Sequence, residues 1–257
     1  MNEELVKPNN SPENDPWAKL REFTAARIAL GRTGVSEPLH QSLQFKLAHA
    51  HARDAVFSQL NSNEVVQAIA TKSNLPVIQV QSQVSNQPEY LQRPDLGRKL
   101  NEDSIINLKN VPITNPDIAL ILADGLSATA INQHAVPVLQ RLVPALQKAS
   151  FNLAPITLVT YGRVAISDEI GYLLKAKLTL ILIGERPGLS SPDSMGAYFT
   201  FNPKPGLTDE SRNCLSNIRP AGLSYQAAAD SLFYLIKEAL RLQLSGVQLK
   251  DNSNLLK

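Results

Sequence analysis

The sequence contains one cysteine, Cys214, among 257 residues. A single cysteine excludes an internal disulfide, and it excludes every zinc site that needs several thiolates. The four histidines include no HExxH pair, and His49 and His51 are two residues apart, so a helix would point them to different sides. We therefore expect a chain of the reducing cytoplasm that holds no metal ion through its own side chains.

Charged residues are also few, and they are spread along the chain. They make up 19% of the sequence, against about 25% in average soluble domains, and the net charge is +2. No dense Lys and Arg patch of the kind that a phosphate backbone needs is present, which argues against nucleic acid as a partner. The low charged fraction favours a surface that is covered by another protein.

Long apolar runs are missing as well. The longest runs, such as residues 178–184, are far shorter than the roughly 20 residues that cross a bilayer. The N-terminus is acidic and polar, unlike a signal peptide. We expect a soluble protein that is not secreted and has no membrane partner, with residues 1–16 forming a flexible polar tail.

The length allows either one large α/β unit or a compact domain with a helical attachment. Apolar spacing predicts four elements in the first part of the chain: helices over about 17–30, 38–60 and 62–72, and a strand over 75–82. The stretch 88–108 contains Pro94 and Gly97, and we expect it to be an exposed, ordered linking loop. Residues 17–110 are therefore predicted to be an N-terminal helical region and linker.

From residue 111 the pattern changes to strands that alternate with helices. Three apolar runs without polar alternation are typical of strands buried on both faces of a parallel sheet: 117–125, 155–162 and 178–185. A fourth strand is expected at 196–202, and a closing helix at about 224–244. We predict an α/β fold with a Rossmann-like, mostly parallel sheet flanked by helices, and we assign it to residues 111–257.

Two further helices are expected between these strands, where they would cover the faces of the sheet. The first spans about 127–149, with Ser127 as a candidate N-cap, and Pro137 and Pro144 are expected to kink or divide it. The second is expected to begin near Ser167 or Asp168, either of which could cap it.

Each of the three buried strands ends in a turn that contains glycine. Because the carboxyl ends of parallel strands share one edge, where open α/β proteins bind ligands, these turns predict a common ligand site. In GERPG, residues 184–188, glycine would let the backbone approach a ligand and proline would fix the loop, so that Glu185 and Arg186 could offer hydrogen bonds. The alternative is that these are ordinary strand-to-helix turns, in which Gly and Asp are common.

Motifs of several common sites are absent. No G-x-G-x-x-G follows a strand and no G-x-x-x-x-G-K-[ST] is present, so phosphate binding by a glycine-rich loop is unsupported. A triad of Ser127, His134 and Asp124 would lack the G-x-S-x-G elbow, and His134 falls inside a predicted helix. Cys214 has no neighbouring histidine or helix N-terminus that would lower its pKa, so we expect a packed or ligand-contacting thiol rather than a nucleophile.

Seven unusual strings run in order through the chain: ARIALGRTG at 26–34, LAHAHARDAV at 47–56, YLQRPDLGRKL at 90–100, ADGLSATA at 123–130, YGRVAISDEIG at 161–171, GERPGLSSPDS at 184–194 and CLSNIRPAG at 214–222. Together they resemble the small subunit, or light chain, of ethanolamine ammonia-lyase over about residues 17–249. The resemblance implies an adenosylcobalamin-dependent carbon–nitrogen lyase that converts ethanolamine to acetaldehyde and ammonia by a radical mechanism. It also implies a hetero-oligomer, in which a large barrel subunit holds the substrate and this chain is inactive alone.

The family's cobalamin contacts carry over by motif to Val164 after YGR, to Glu185 in GERPG and to Cys214 before LSNI. The resemblance implies no catalytic residue on this chain, and it implies that the corrin holds the cobalt. Because no D-x-H-x-x-G string is present, the lower nucleotide base is expected to stay on the metal. Some members are packed into a bacterial microcompartment through their N-terminal region, but residues 1–16 show no amphipathic helix that would direct this.

Two other functions are compatible with the same residues. The chain could be a freestanding α/β enzyme that binds a small molecule or a nucleotide at the same sheet edge. It could also be a structural partner that makes no contact with a cofactor. A broad ligand edge without an acid–base constellation favours the cofactor-binding subunit.

Overall fold

The computed structural model describes residues 18–250, apart from residues 25, 29, 33, 34, 74, 113 and 114. Within these residues the chain forms six strands: β1 (Val77–Gln81), β2 (Ile118–Ala123), β3 (Ile156–Thr160), β4 (Leu178–Gly184), β5 (Met195–Phe201) and β6 (Asn213–Ile218). It also forms seven α-helices there: α1 (Leu39–Val56), α2 (Ser62–Ser73), α3 (Gln87–Gln92), α4 (Glu102–Lys109), α5 (Ala128–Lys148), α6 (Ile166–Leu173) and α7 (Tyr225–Leu242). The predicted flexible tail, residues 1–16, lies outside the described residues.

The six strands form one mixed sheet in the order β1-β3-β2-β4-β5-β6. β1, β3, β2 and β4 run parallel. β5 pairs antiparallel with β4, and β6 pairs antiparallel with β5, so β6 runs in the same direction as the first four strands. The predicted α/β fold with a mostly parallel sheet is confirmed, although the sheet is not purely parallel. β1 comes from the N-terminal side of the predicted boundary at residue 110, and the division of the chain at that point stays a prediction.

The central strands are buried on both faces because their alternate side chains point into two separate cores. In β2, Leu120 and Leu122 contribute to a core formed with α2, α5 and α7. Ile121, between them, contributes to the core formed with α4 and α6. Every residue of β2 and of β4 is buried. The apolar runs without alternation are therefore confirmed as strands covered on both sides.

The helix after β2 is more regular than predicted. α5 runs unbroken through Pro137 and Pro144, so these prolines do not divide it, and the alternative that they kink it stays a prediction. A proline inside a helix costs about 3 kcal/mol. Seven of the buried residues of α5 are Ile, Leu or Val, and each buried side chain of this kind contributes about 1.5–3 kcal/mol. Packing therefore outweighs the missing helical hydrogen bonds.

The predicted caps of the two sheet-covering helices are used differently. Ser127 occupies the N-cap position of α5, but its hydroxyl donates to Pro192 O at 3.1 Å instead of capping the helix. α6 begins one residue before Ser167, so Ser167 and Asp168 lie inside its first turn. Asp168 instead forms a buried ion pair with Arg212, with an N–O distance of 2.5 Å.

The segment predicted as an exposed loop, residues 88–108, is largely helical and partly buried, so that prediction was wrong. α3 begins after Asn86, whose side chain accepts the backbone N–H of Glu89 at 3.1 Å, and Asn101 caps α4 in the same way. Tyr90, within α3, is fully buried. Helices of six and eight residues give too little periodicity to be recognised from spacing.

Two other elements differ from the prediction. The helix expected over 17–30 is reduced to a short 3-10 helix, Ala18–Phe23. β6 lies in a stretch for which no strand was predicted, because half of its sequence NCLSNI is polar and it shows no strand alternation. In the described part of the chain, no helix is long and apolar enough to cross a membrane.

Candidate functional site at the carboxyl edge of the sheet

The carboxyl ends of β2, β3 and β4 meet at one edge of the sheet. The chain leaves β2 for α5, which covers one face, and leaves β3 for α6, which covers the other. Adjacent strands whose following helices lie on opposite faces open a crevice, and open α/β proteins bind ligands at such crevices. The three turns singled out in the sequence all lie here.

Asp124, directly after β2, fastens the turns after β2 and β3 to each other. Its buried carboxylate accepts the backbone N–H groups of Tyr161, Gly162 and Gly125 at 2.7, 3.0 and 2.9 Å. Burial raises the pKa of Asp124 to about 7, although the three N–H donors act to lower the pKa. Both carboxylate oxygens are engaged, so Asp124 is a clamp that shapes the edge.

Two glycines bring the backbones of the β2 turn and the β4 end into contact. Gly125 has a φ of +61°, and a Cβ there would overlap the backbone of Gly184. A Cβ on Gly184 would overlap the carbonyl of Ser127 and lie 2.5 Å from that of Asp124. The Leu126 N–H donates to Gly184 O at 3.0 Å across this contact. The glycines of these turns were expected to let the backbone approach a ligand. At Gly125 and Gly184, the glycines instead let two backbone segments of this chain approach each other.

The turn after β3 is held in place by the segment that follows β1. The Tyr90 hydroxyl donates to Gly162 O at 2.7 Å, and Arg163 Nη2 donates to Tyr90 O at 2.8 Å. The Arg163 guanidinium carbon lies 4.2 Å from the centroid of the Tyr90 ring, which is cation–π geometry. The Arg163 N–H donates to Gly97 O at 2.7 Å. These contacts also position Val164, the next residue.

Glu185 follows β4, and its carboxylate accepts several hydrogen bonds within the chain. The hydroxyl groups of Ser194 and Ser216 both donate to it, the second at 2.5 Å. The backbone N–H of Asn217 donates to Oε2 at 3.3 Å. An ionised carboxylate offers about four lone-pair sites, so Glu185 can accept one further donor. The proline-fixed GERPG turn therefore holds a pre-oriented acceptor.

Cys214 lies on β6 directly opposite Tyr198 of β5. The residue is exposed, so it is not part of a core of this chain, and the expected contact with a ligand stays a prediction. Desolvation raises the pKa of the thiol, the hydrogen bond with Tyr198 acts to lower the pKa, and the charge of Glu185 adds to the rise. Because the thiolate is the nucleophilic form, the raised pKa agrees with the expectation that Cys214 is not a nucleophile.

Two adjoining cavities lie along this edge, and we call them together the carboxyl-edge groove. The first, of about 370 Å³, is lined by the turns after β2, β3 and β4. The second, of about 290 Å³, lies between the turn after β3, residues 94–98 and β6. Arg163, Val164 and Tyr198 line both cavities, so the two are neighbours.

The groove brings together all three residues that the resemblance assigned to cobalamin. Val164 lines both cavities, Glu185 lines the first and Cys214 lines the second. A larger depression of about 440 Å³ lies elsewhere, near Phe201, and none of the three lines it. The three candidate residues are thus neighbours in space, although Val164 follows β3, Glu185 follows β4 and Cys214 lies on β6.

The carboxyl-edge groove is also basic, which the sequence did not reveal. It is lined by four arginines: Arg98, Arg163, Arg186 and Arg212. Arg212 is paired with Asp168, whose pKa is raised to about 6 by desolvation in spite of the arginine. Of the four, sequence reasoning gave a role only to Arg186. Two of the others, Arg98 and Arg163, could have been identified because they lie in the strings YLQRPDLGRKL and YGRVAISDEIG, which carry the family resemblance.

The alternative hydrolytic triad is not assembled. His134 Nδ1 is 2.8 Å from the Tyr225 hydroxyl, and His134 Nε2 is 3.2 Å from the Asp193 carboxylate. Ser127 donates to a backbone carbonyl, and Asp124 accepts backbone N–H groups. Among the described residues, no group of three or more His, Cys, Asp and Glu side chains is arranged to hold a metal ion.

A family model described as "Ethanolamine ammonia-lyase light chain (EutC)" matches residues 14–250. A protein named ethanolamine ammonia-lyase small subunit, from Pseudomonas syringae pv. tomato, is 50% identical over 99% of this chain and 88% of its own length. Proteins of the same name from Pseudomonas putida GB-1 and Pseudomonas fluorescens SBW25 are both 51% identical, over 95% and 94% of this chain and 90% and 88% of their own lengths. Since the matched region includes every turn of the carboxyl-edge groove, the chain belongs to the ethanolamine ammonia-lyase light-chain family.

Proposed function

We propose that this chain is the small subunit of an adenosylcobalamin-dependent ethanolamine ammonia-lyase and is active only with a large barrel subunit. The complex converts ethanolamine to acetaldehyde and ammonia by a radical mechanism. Family membership supports the proposal, and the name small subunit, which the relatives carry, implies a large-subunit partner. The observation that carries it is that Val164, Glu185 and Cys214 line one groove.

The carboxyl-edge groove fits one side of a corrin. A corrin is a broad ring rimmed by amides, so its holder needs shaped apolar contact and a few hydrogen-bonding groups. Val164 and Tyr198 offer apolar contact, and Glu185 offers an acceptor for an amide N–H. Pockets that enclose drug-sized ligands measure about 300–1,000 Å³. Cavities of 370 and 290 Å³ therefore cover only part of a larger cofactor.

A second protein wall is needed to cover the rest of the cofactor. Cys214 is exposed in this chain, and a large subunit placed opposite the groove would bury both the thiol and the cofactor. Exclusion of water strengthens polar contacts in such an interface and prevents side reactions of radicals. Adenosylcobalamin supplies a cobalt–carbon bond whose homolysis starts the radical chemistry.

The residues of this chain bind and orient the cofactor, and the proposal places no catalytic residue here. Val164 packs against the ring. Glu185, held by Ser194 and Ser216, accepts a hydrogen bond without reorganising. The Cys214 thiol stays protonated because its pKa is raised, so it would make weak polar contacts with a bound corrin and would not act as a metal ligand.

Purification of the chain with and without the large subunit tests this function. The full chain would be produced alone and together with the large subunit, and both samples would be assayed for ethanolamine deamination and for cobalamin retained after gel filtration. We expect activity and retained cobalamin only in the complex. Activity of the chain alone would favour the freestanding enzyme instead. The proposed location is the cytoplasm, and packing into a microcompartment stays a prediction of the resemblance.

A further inference from the structure

The two cavities of the carboxyl-edge groove differ in charge. The first is lined by Glu185 and by Arg186, which have opposite charges, whereas the second is lined by Arg98 and Arg212, and both share Arg163. In the described chain, neither Arg98 nor Arg163 forms an ion pair with a carboxylate. Asp209 is the acidic residue that lines the second cavity, and its side chain is 94% exposed. The second cavity therefore carries positive charge that this chain does not neutralise.

Two buried N–H groups beside the second cavity also lack an acceptor in the described chain. They are the Nε groups of Arg163 and Arg212, and the side chain of Arg212 is only 2% exposed. The terminal nitrogens of Arg212 are engaged with Asp168 and with backbone carbonyls, and Arg163 donates through Nη2 to Tyr90 O. Native proteins rarely leave a buried donor unpaired. Because both Nε groups are closed to solvent, a ligand in the cavity could not reach them, and the charge that the cavity offers is that of the Arg98 and Arg163 guanidinium groups.

We propose that the second cavity binds the phosphodiester of the cobalamin nucleotide loop, with Arg98 and Arg163 as its charged partners. This inference rests on the proposed function and adds an orientation for the cofactor. The corrin amides are neutral, whereas the phosphodiester is anionic. Guanidinium groups bind phosphate oxygens through two parallel hydrogen bonds and are weakly hydrated, so they suit a site closed from water. Glu185, in the first cavity, repels an anion and accepts amide N–H groups.

The experiment compares three corrinoids on the complex with the large subunit. Cobalamin carries the phosphodiester, cobinamide phosphate carries a phosphate without the base, and cobinamide carries neither. Dissociation constants would be measured by absorbance titration for the wild type, Arg98→Gln and Arg98→Lys. Arg93→Gln is the matched control, because Arg93 is exposed, pairs with Asp95 at 2.6 Å and does not line the groove.

We expect Arg98→Gln to weaken cobalamin and cobinamide phosphate by about tenfold or more and to leave cobinamide unchanged. Arg98→Lys should lose less, since it keeps the charge without the planar fork. Equal weakening of all three corrinoids would mean that Arg98 contacts the large subunit or the ring, and it would overturn the inference. Unchanged affinity for all three would also overturn it.

Failure of this inference can be told apart from failure of the proposed function. If Val164→Asp weakens all three corrinoids but Arg98→Gln does not discriminate among them, the groove holds the corrin and only the phosphodiester assignment falls. If the wild-type complex binds no corrinoid, or Val164→Asp changes no dissociation constant, the proposed function fails and the inference fails with it.

Discussion

The titration of Asp124 tests the clamp that organises the carboxyl-edge groove. In the folded chain the pKa of this carboxyl is raised from 3.8 to about 7, chiefly by burial. The folded state therefore binds more protons than the unfolded state between these pH values, so the stability from Asp124 is present at low pH and is lost as the pH rises through 7. At about 1.4 kcal/mol per pKa unit, the total loss is about 4 kcal/mol, of which about 3 kcal/mol falls between pH 5 and pH 8.

Asp124→Asn removes this titration. It also replaces one acceptor oxygen with an NH₂ group, which cannot accept the backbone N–H that faces it. Leaving a buried donor unpaired costs about 1–3 kcal/mol, so the variant should be less stable than the wild type at pH 5. The difference between the two should shrink by about 3 kcal/mol, and could reverse, by pH 8. Asp168, whose pKa is also raised, contributes equally to both proteins and cancels.

The assay is urea unfolding of the full chain at pH 5, 6, 7 and 8. Asp95→Asn is the matched control, because the hydrogen bond with Arg93 lowers the pKa of Asp95 to about 2 and its titration lies below this range. The control should therefore run parallel to the wild type. Parallel profiles for the wild type and Asp124→Asn would refute the reasoning, since they would mean that the buried carboxyl does not titrate near pH 7.

Three further variants test the geometry of the edge. Gly184→Ala should lower the free energy of unfolding by about 1–3 kcal/mol or more, because the new Cβ would overlap the Ser127 carbonyl. Gly188→Ala should cost less in the same thermal unfolding assay, because a side-chain oxygen of Ser191 is the one atom that would lie within 3.4 Å of its Cβ. Equal losses of stability in the two variants would contradict this packing. Val164→Asp should weaken cobalamin binding to the complex by more than about tenfold, whereas Val164→Ile should not. Glu185→Ala should reduce the binding free energy of cobalamin by about 1–3 kcal/mol, and Glu185→Gln, which keeps one acceptor oxygen, should reduce it by less. Unchanged affinity would favour a purely structural partner.

The sheet could be predicted because its strands carry their own signal. Three runs are apolar without polar alternation, which is typical of strands covered on both faces: 117–125, 155–162 and 178–185. β2, β3 and β4 lie within these runs. Parallel order then fixes that their carboxyl ends share an edge, so the location of the candidate site followed from topology. Within it, Glu185 and Arg186 were indicated by the GERPG turn, whereas Val164 came from the resemblance, since no spacing rule singles it out.

The remaining features depend on contacts between distant parts of the chain. β6 is paired with β5 along only one side, and its three apolar residues do not alternate with its three polar ones, so its sequence has no strand pattern. A side chain at Gly125 or at Gly184 would overlap the backbone of the other turn, and the sequence of one turn alone does not reveal this contact. α5 stays intact through its prolines because of packing on the sheet and α7. The three arginines of the second cavity come from three separate segments of the chain, so the charge of no single segment predicts a basic cavity.

A structure of this chain in complex with the large subunit and cobalamin tests the central claim most directly. The measurement is the distance from the corrin to two side chains of the carboxyl-edge groove. We predict that Val164 carbons lie within about 4 Å of the ring and that a Glu185 oxygen lies about 3 Å from a corrin amide nitrogen. A corrin bound in the complex but remote from both residues would contradict the account.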